Sequence, residues 1–413
     1  MSCVVIQKND NDFTPDNQSD ANRRLRKDVV PMEGMFESRC TCGARERSVV
    51  TNAENIEGRS CCLASRRILV YLFMHFFPVI IVLFPDSTMR AIIPVAGVGS
   101  RLRPHTFTIP KVLLNVAGKP ILAHILDKII ADGVTEATII VGHMSDKIRE
   151  YVSDAYPSFK VDYVEQEERL GLGHAIYLTR HTIGSDPILI ILGDTIFDVD
   201  LRPVLKLSHS SLGVKAVDDP RRFGVAEMMN GSIARLVEKP EKPVSNLAIV
   251  GLYYVHNPKL LLSCLEELVA KDVRTKGEYQ LTDALQMMIE RGEKMTTFPV
   301  EGWYDCGKPE TLLSTNRSLL EKKSTSRRVE GVVVVEPVFI ASTATLSHCV
   351  IGPYTTVGEG ASITESVVRN SIISEDAQVH KALLDNSIIG NGSIVRGSYK
   401  RINVGGSSEI DFY

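Results

Sequence analysis

The sequence has no basic surplus. Its 47 lysines and arginines stand against 50 aspartates and glutamates, a formal net charge of −3. That argues against a general nucleic-acid binder, whose footprint is an excess of positive charge. Aromatic residues are few, at 6%. Histidines at zinc-finger spacing are missing beside Cys40-Thr41-Cys42 and Cys61-Cys62, so these cysteines read as unpaired thiols of a reducing compartment. Downstream of residue 63 only Cys264, Cys306 and Cys349 occur. A comfortable bilayer-spanning run is lacking as well. The stretch ILVYLFMHFFPVIIVLF, residues 68–84, contains His75 and Pro78 and sits at the lower length limit for a span. With Arg66 and Arg67 on its N-terminal flank, an anchor here would leave everything downstream outside the cytoplasm. The run also lies too far into the chain for a plain signal peptide.

What is present describes an ordinary soluble globular protein, with 23% charged and 44% hydrophobic residues and room for two or three domains. Residues 1–67 keep no sustained period. Residues 1–88 are therefore read as an irregular upstream extension outside the native protein, Met89 being a workable start; an anchor over 68–84 is the alternative. From Met89 strands alternate with helices. AIIPV (91–95), ATIIVG (137–142), VDYVEQ (161–166) and PILIILGD (187–194) read as strands. ILAHILDKII (121–130) and GHAIYLTRH (173–181) read as helices, the first with Ile121, Leu122, Ile125, Leu126, Ile129 and Ile130 on one face. This alternation implies an α/β fold with a doubly wound, mostly parallel sheet, which binds ligands at the carboxyl ends of its strands.

Past about residue 330 the helical pattern stops. Aliphatics recur every five or six residues, from Ile340, Leu346, Ile351, Val357 and Ile363 through Val368, Ile373, Val379, Leu384 and Ile389. Three such steps make a coil of 16 to 17 residues, the signature of a hexapeptide-repeat parallel β-helix. The expected division is 1–88, 89–328 and 329–413.

Four stretches carry chemistry. Gly97-Val98-Gly99 follows a strand, where bare N–H groups can form an anion nest. It is not a P-loop, and Leu102 stands where a dinucleotide fingerprint needs its third glycine. A bare GxG is equally a strand-ending turn, but Arg101, Arg103 and Lys111 add cations suited to a triphosphate. Asp194 in LGD and Asp305 in WYDCG suit Mg²⁺, which binds one or two carboxylates plus phosphate oxygens; a lone acid at a strand end is otherwise often a helix cap. Glu238 and Lys239 precede a proline, as a solvated pair at a turn also would.

The stretch PVAGVGSRLRPHTFTIPKVLLNVAGKP resembles the signature of sugar-1-phosphate nucleotidylyltransferases. The resemblance continues through VEQEERLGLGHA, LGD, FGV, VEKP, SNLAIVGLY, GEYQLTDA and WYDCG, covering residues 89 to about 320. With the tail, the chain looks like long-form glucose-1-phosphate thymidylyltransferases, which end in a left-handed β-helix. PVAG, GLGHA, SNLAIVG, QLTDA and DCG look more like bacterial UTP–glucose-1-phosphate uridylyltransferases. The resemblance implies that an NTP, dTTP or UTP, reacts with a sugar 1-phosphate, glucose 1-phosphate foremost. It implies that Ala96, Gly97 and Gly99 hold the nucleotide, that Arg101 meets the departing phosphates and that Lys111 neutralises the α-phosphate. Gln166 and Gly171 would read the base, and Asp194 and Asp305 would hold Mg²⁺. Gly224, Glu238 and Val250 would line the sugar pocket, with Lys239 on the sugar phosphate. A cytoplasmic homo-oligomer with no nucleic-acid or membrane partner is expected. The alternatives are a non-catalytic regulatory subunit on the same fold, or a second, acetyl-transferring activity on the β-helix with His348 or His380 as base.

Overall fold

Strand β1, Arg90–Pro94, enters the sheet with Ala91, Ile92 and Ile93 entirely buried, because a parallel strand covered on both faces is apolar throughout. The computed structural model describes residues 88–323 and 328–397. The apolar run 68–84 lies outside them, and among the described residues no helix is long and apolar enough to cross a membrane.

The parallel half of the sheet also contains β2 (Glu136–Val141), β3 (Lys160–Glu165) and β4 (Ile188–Ile191). Between them run α1 (Ile121–Ala131), α2 (Ser145–Ala155) and α3 (Leu172–Leu178), the last continued by a 3-10 turn at Thr179–His181. In α1, Ile121, Leu122, Ile125, Leu126 and Ile129 are buried as their spacing requires, but Ile130 is exposed. One residue turns the helix by about 100°, which carries Ile130 past the edge of the apolar stripe.

The other half is antiparallel apart from its last strand, which pairs in parallel. After β5 (Thr195–Asp198) come β6 (Ser210–Ala216), β7 (Gly224–Met229), β8 (Ser232–Glu238), β9 (Leu247–Val255) and β10 (Met295–Pro299). The sheet runs β8-β7-β9-β4-β1-β2-β3, with β6 joined to β9 and β10. A hairpin at Asn230-Gly231, both with positive φ as a tight two-residue turn requires, connects β7 to β8. Helices α4 (Pro258–Ala270) and α5 (Leu281–Glu290) cover this half. Strand β5 leaves the main sheet and forms a two-stranded ribbon with β11 (Gly302–Asp305), and α6 (Pro309–Lys322) follows.

Residues 333–396 wind into three parallel sheets of four short strands, a left-handed parallel β-helix. Leu346 stacks on Ile363, Ile363 on Val379 and Val379 on Val395, so a coil is 16 or 17 residues. All ten aliphatics of the repeat belong to its core, Leu384 and Ile389 partly buried near its end. One face of this prism rests on the α/β domain. Ile372 and Ile388 join that domain's core, and the Phe339 ring packs on Gly118. Asn316 of α6, 1% exposed, accepts from Ala117 N at 2.9 Å and Thr356 Oγ1 at 2.6 Å and donates to Tyr354 O at 3.1 Å. The β-helix thus buttresses the turn that follows Lys111.

Candidate active site

The glycine loop leaves the end of β1 and is held by its own sequence. Gly99 takes φ +61°, and a Cβ there would lie 2.9 Å from Thr106 Cγ2 and 3.0 Å from Lys111 Cβ. Conformation and space both require glycine. Thr106 Oγ1 donates to Gly99 O at 2.8 Å, closing the loop. Leu102 is fully buried in the 3-10 turn Ser100–Leu102 and anchors it, leaving Arg101 exposed at the cavities. Pro110 then starts the turn that carries Lys111.

Two cavities open at the carboxyl ends of β1 and β4. One, of about 570 Å³, is lined by Gly97, Gly99, Arg101, Lys111 and Asp194, with Arg169 and Glu278 opposite. The other, of about 800 Å³, is lined by Lys239, Val250, Trp303 and Asp305. Arg101, Leu192 and Asp194 line both, so the cavities meet there. Lys111 Nζ donates to Asp194 Oδ2 at 2.7 Å. Asp305 pairs with Thr195 across the ribbon, accepts from Gly307 N at 2.8 Å, and is followed by Cys306, whose N–H reaches Asp194 O at 3.1 Å. The two acids are therefore neighbours on adjoining strand ends.

Behind the larger cavity, Glu238 accepts from Thr282 Oγ1 at 2.7 Å and lies 3.0 Å from Lys239 Nζ. Gly224 sits against that carboxylate. Gln166 is buried, and its side-chain N–H contacts Gly171 O at 3.3 Å, so these two meet. Gly171, at φ +111°, has no room for a Cβ beside Tyr279 O. Gln166, Gly171 and Ala96 are not among the residues that line the two cavities, though Gly171 lies between Arg169 and Leu172, which are; Ala96 is buried against Gly142.

Several cations escaped sequence reasoning. Arg169 reaches the smaller cavity, and Arg221, Arg222, Lys276 and Lys308 the larger. Each lies within a few residues of a stretch already singled out, which was the available signal. Arg221 is committed to Asp219 at 2.7 Å, and Lys276 Nζ to Lys239 O at 2.7 Å. Cys306 is fully buried, and burial pushes its thiol up to about 12. It stays protonated and is no nucleophile. A site of cations and two carboxylates stabilises transferring phosphate rather than forming a covalent intermediate.

Residues 90–322 match the family model described as nucleotidyl transferase. The chain belongs to the nucleotidyl transferase family. This nucleotidyltransferase is 31% identical over 360 residues to the low-salt glycan biosynthesis nucleotidyltransferase Agl11 of Haloferax volcanii, covering 78% of the present chain and 99% of the relative. It is 34% identical to a glucose-1-phosphate thymidylyltransferase of Streptomyces griseus, covering 75% of its own length and 89% of the relative's. A UDP-glucose pyrophosphorylase solved with UDP-glucose superposes with a TM-score of 0.51 at 27% identity, over 57% of this nucleotidyltransferase and all of that chain.

Proposed function

We propose that the enzyme condenses dTTP or UTP with a sugar 1-phosphate, glucose 1-phosphate foremost, giving the nucleoside diphosphate sugar and pyrophosphate. The observation that carries this reading is the junction of the two cavities at Arg101 and Asp194, with Lys111 on the nucleotide side and Lys239 on the other. A triphosphate along the glycine loop and a sugar phosphate on Lys239 bring their reacting phosphates to that junction.

A phosphate oxygen of the sugar phosphate attacks the α-phosphorus, and the bond to the β-phosphate's bridging oxygen breaks as pyrophosphate leaves. The attacking group is already ionised near neutral pH, so no general base is needed. The obstacle is repulsion between two anions. Lys111 offsets charge at the α-phosphate, Arg101 at the departing phosphates and Lys239 at the sugar phosphate, while the loop fixes alignment. Gly224, Glu238 and Val250 shape the sugar side. Gln166 and Gly171 set the base end through the wall they support.

Asp194 and Asp305 fit Mg²⁺. They adjoin one another, and beside the bonds to Lys111 and Gly307 each carboxylate keeps a second oxygen, the donor set magnesium takes together with phosphate oxygens. Bound there, the ion would add positive charge to the phosphates in transfer. The substrates place the work in the cytoplasm, and the β-helix, from about residue 329, supports a homo-oligomer. The test is pyrophosphate release by the full-length protein with glucose 1-phosphate, Mg²⁺ and each NTP. Release only when both substrates are present, fastest with dTTP or UTP, is expected. A folded protein that releases none with any NTP and a panel of sugar phosphates would overturn the proposal.

A further inference from the structure

The ribbon of β5 and β11 separates two spaces. Successive strand residues point to opposite faces, and Thr195, Trp303 and Asp305 line the substrate cavity while Ile196 and Tyr304 line a different cavity of about 340 Å³ on the reverse side. This second cavity lies between α1 and α6 and shares no residue with the substrate site.

Its floor is apolar, from Ile196, Phe197, Leu319 and the Tyr304 ring. Its rim is cationic. Lys119 and Lys128 line it beside α1, and Lys322 and Lys323 at the end of α6. Four lysines stand against three carboxylates, Asp127, Asp198 and the Asp132 that Lys128 meets, which leaves a surplus of one positive charge. His124 adds none: burial depresses its imidazole to about 4, and its Nε2–H is given to Val116 O at 2.8 Å.

The bland alternative is a set of surface ion pairs. Lys119 does meet Asp127, Lys322 meets Asp198, and Lys128 reaches Asp132 at 2.7 Å. Lys119 and Asp127 are 36% and 48% exposed and Lys322 and Asp198 46% and 60%, and pairs so open to water hold weakly, so an arriving anion can recruit those two lysines, while Lys128 stays with the buried Asp132. Lys323 has no ion-pair partner among the described residues. Lysines that only solubilise a surface need not converge. These four line one apolar-floored cavity, the combination that ligand sites show.

We propose that this cavity is a second ligand site, for a small organic phosphate: a dianion carrying a compact apolar body. Lys323 together with the recruitable Lys119 and Lys322 matches a phosphate monoester, and the floor matches an apolar group. At about 340 Å³ the space is smaller than either substrate cavity, so the ligand is not a second nucleotide sugar.

Phenyl phosphate is the probe. Its binding to the full-length protein is followed by calorimetry with saturating UDP-glucose and dTDP-glucose present, so that both substrate cavities are filled. Phenyl phosphate is expected to bind under that condition about tenfold or more tighter than inorganic phosphate, because only it covers the floor. Lys119→Gln with Lys323→Gln should weaken it about tenfold or more, through lost charge-assisted contacts, while pyrophosphate release stays at the wild-type rate. Amine acetylation read by mass spectrometry should show Lys119 and Lys323 protected by the probe. Displacement of the probe by the nucleotide sugars, unchanged binding in the double variant, or no binding at all would each overturn the proposal.

Discussion

Lys111 offers a clean separation between stability and catalysis. In the free protein its ammonium sits 2.7 Å from Asp194, with the lysine side chain 13% exposed and the aspartate 42%. An ion pair with one partner this open to water contributes about 0–1 kcal/mol. Methionine at 111 keeps the stem that packs against Gly99. Lys111→Met is therefore expected to lower the unfolding free energy by at most about 1 kcal/mol, read from urea transitions. Turnover should respond differently. In the proposed role the ammonium meets charge building on the α-phosphate, and losing one preorganised contact of that kind costs about 3–4 kcal/mol. At about 1.4 kcal/mol per decade, that is a fall in kcat of roughly 10² to 10³. Both measurements belong on one preparation, with pyrophosphate release for activity. A kcat within about threefold of wild type would refute the role, since that corresponds to well under 1 kcal/mol. A stability loss of several kcal/mol, with activity falling only in step with the folded fraction, would make Lys111 a structural residue instead.

Gly224→Ala would place a Cβ 3.2 Å from Glu238 Oε2 and 3.1 Å from Ile249 Cδ1, displacing the carboxylate. KM for the sugar phosphate should rise about tenfold with KM for the NTP unchanged, because small misplacements of positioning groups are costly; equal rises in both would contradict this. Arg169→Gln removes a cation from the nucleotide side alone, so KM for the NTP should rise roughly 10- to 100-fold, the worth of one charged hydrogen bond. An unchanged KM for the NTP would show that Arg169 points past the substrate. His124 predicts a pH effect on stability. Its folded pKa is lowered to about 4, chiefly by burial, from 6.5. The unfolded chain therefore takes up the proton first as pH falls, which favours unfolding. Its contribution is fully present above 6.5 and is lost between 6.5 and 4, about 3 kcal/mol in all. His124→Gln should flatten that slope in urea titrations, and an unaltered slope would mean the loss comes from other groups.

The parallel half of the sheet was legible because its strands are buried on both faces and so stand out as apolar runs. The β-helix was legible because each coil repeats its inward aliphatics at a fixed step. The antiparallel half was not. SSLGVKA at β6 has neither a run nor a clean alternation, and its partners β9 and β10 come about 35 and 80 residues later, a pairing that local pattern cannot announce. The site divides the same way. Each chemistry-bearing stretch could be flagged by composition, but which stretches share a cavity is a long-range property. Glu238 and Lys239 show the limit well. Adjacent and opposite in charge, they suggest one shared task at a turn. They do pair, at 3.0 Å, but Lys239 takes φ +45°, so the lysine also lines the larger cavity while Glu238 is also held by Thr282 from α5. Neighbours in the chain thus acquire further partners beyond their own pair. One could meet a phosphate, while the other's fixed position depends on a hydroxyl 44 residues away.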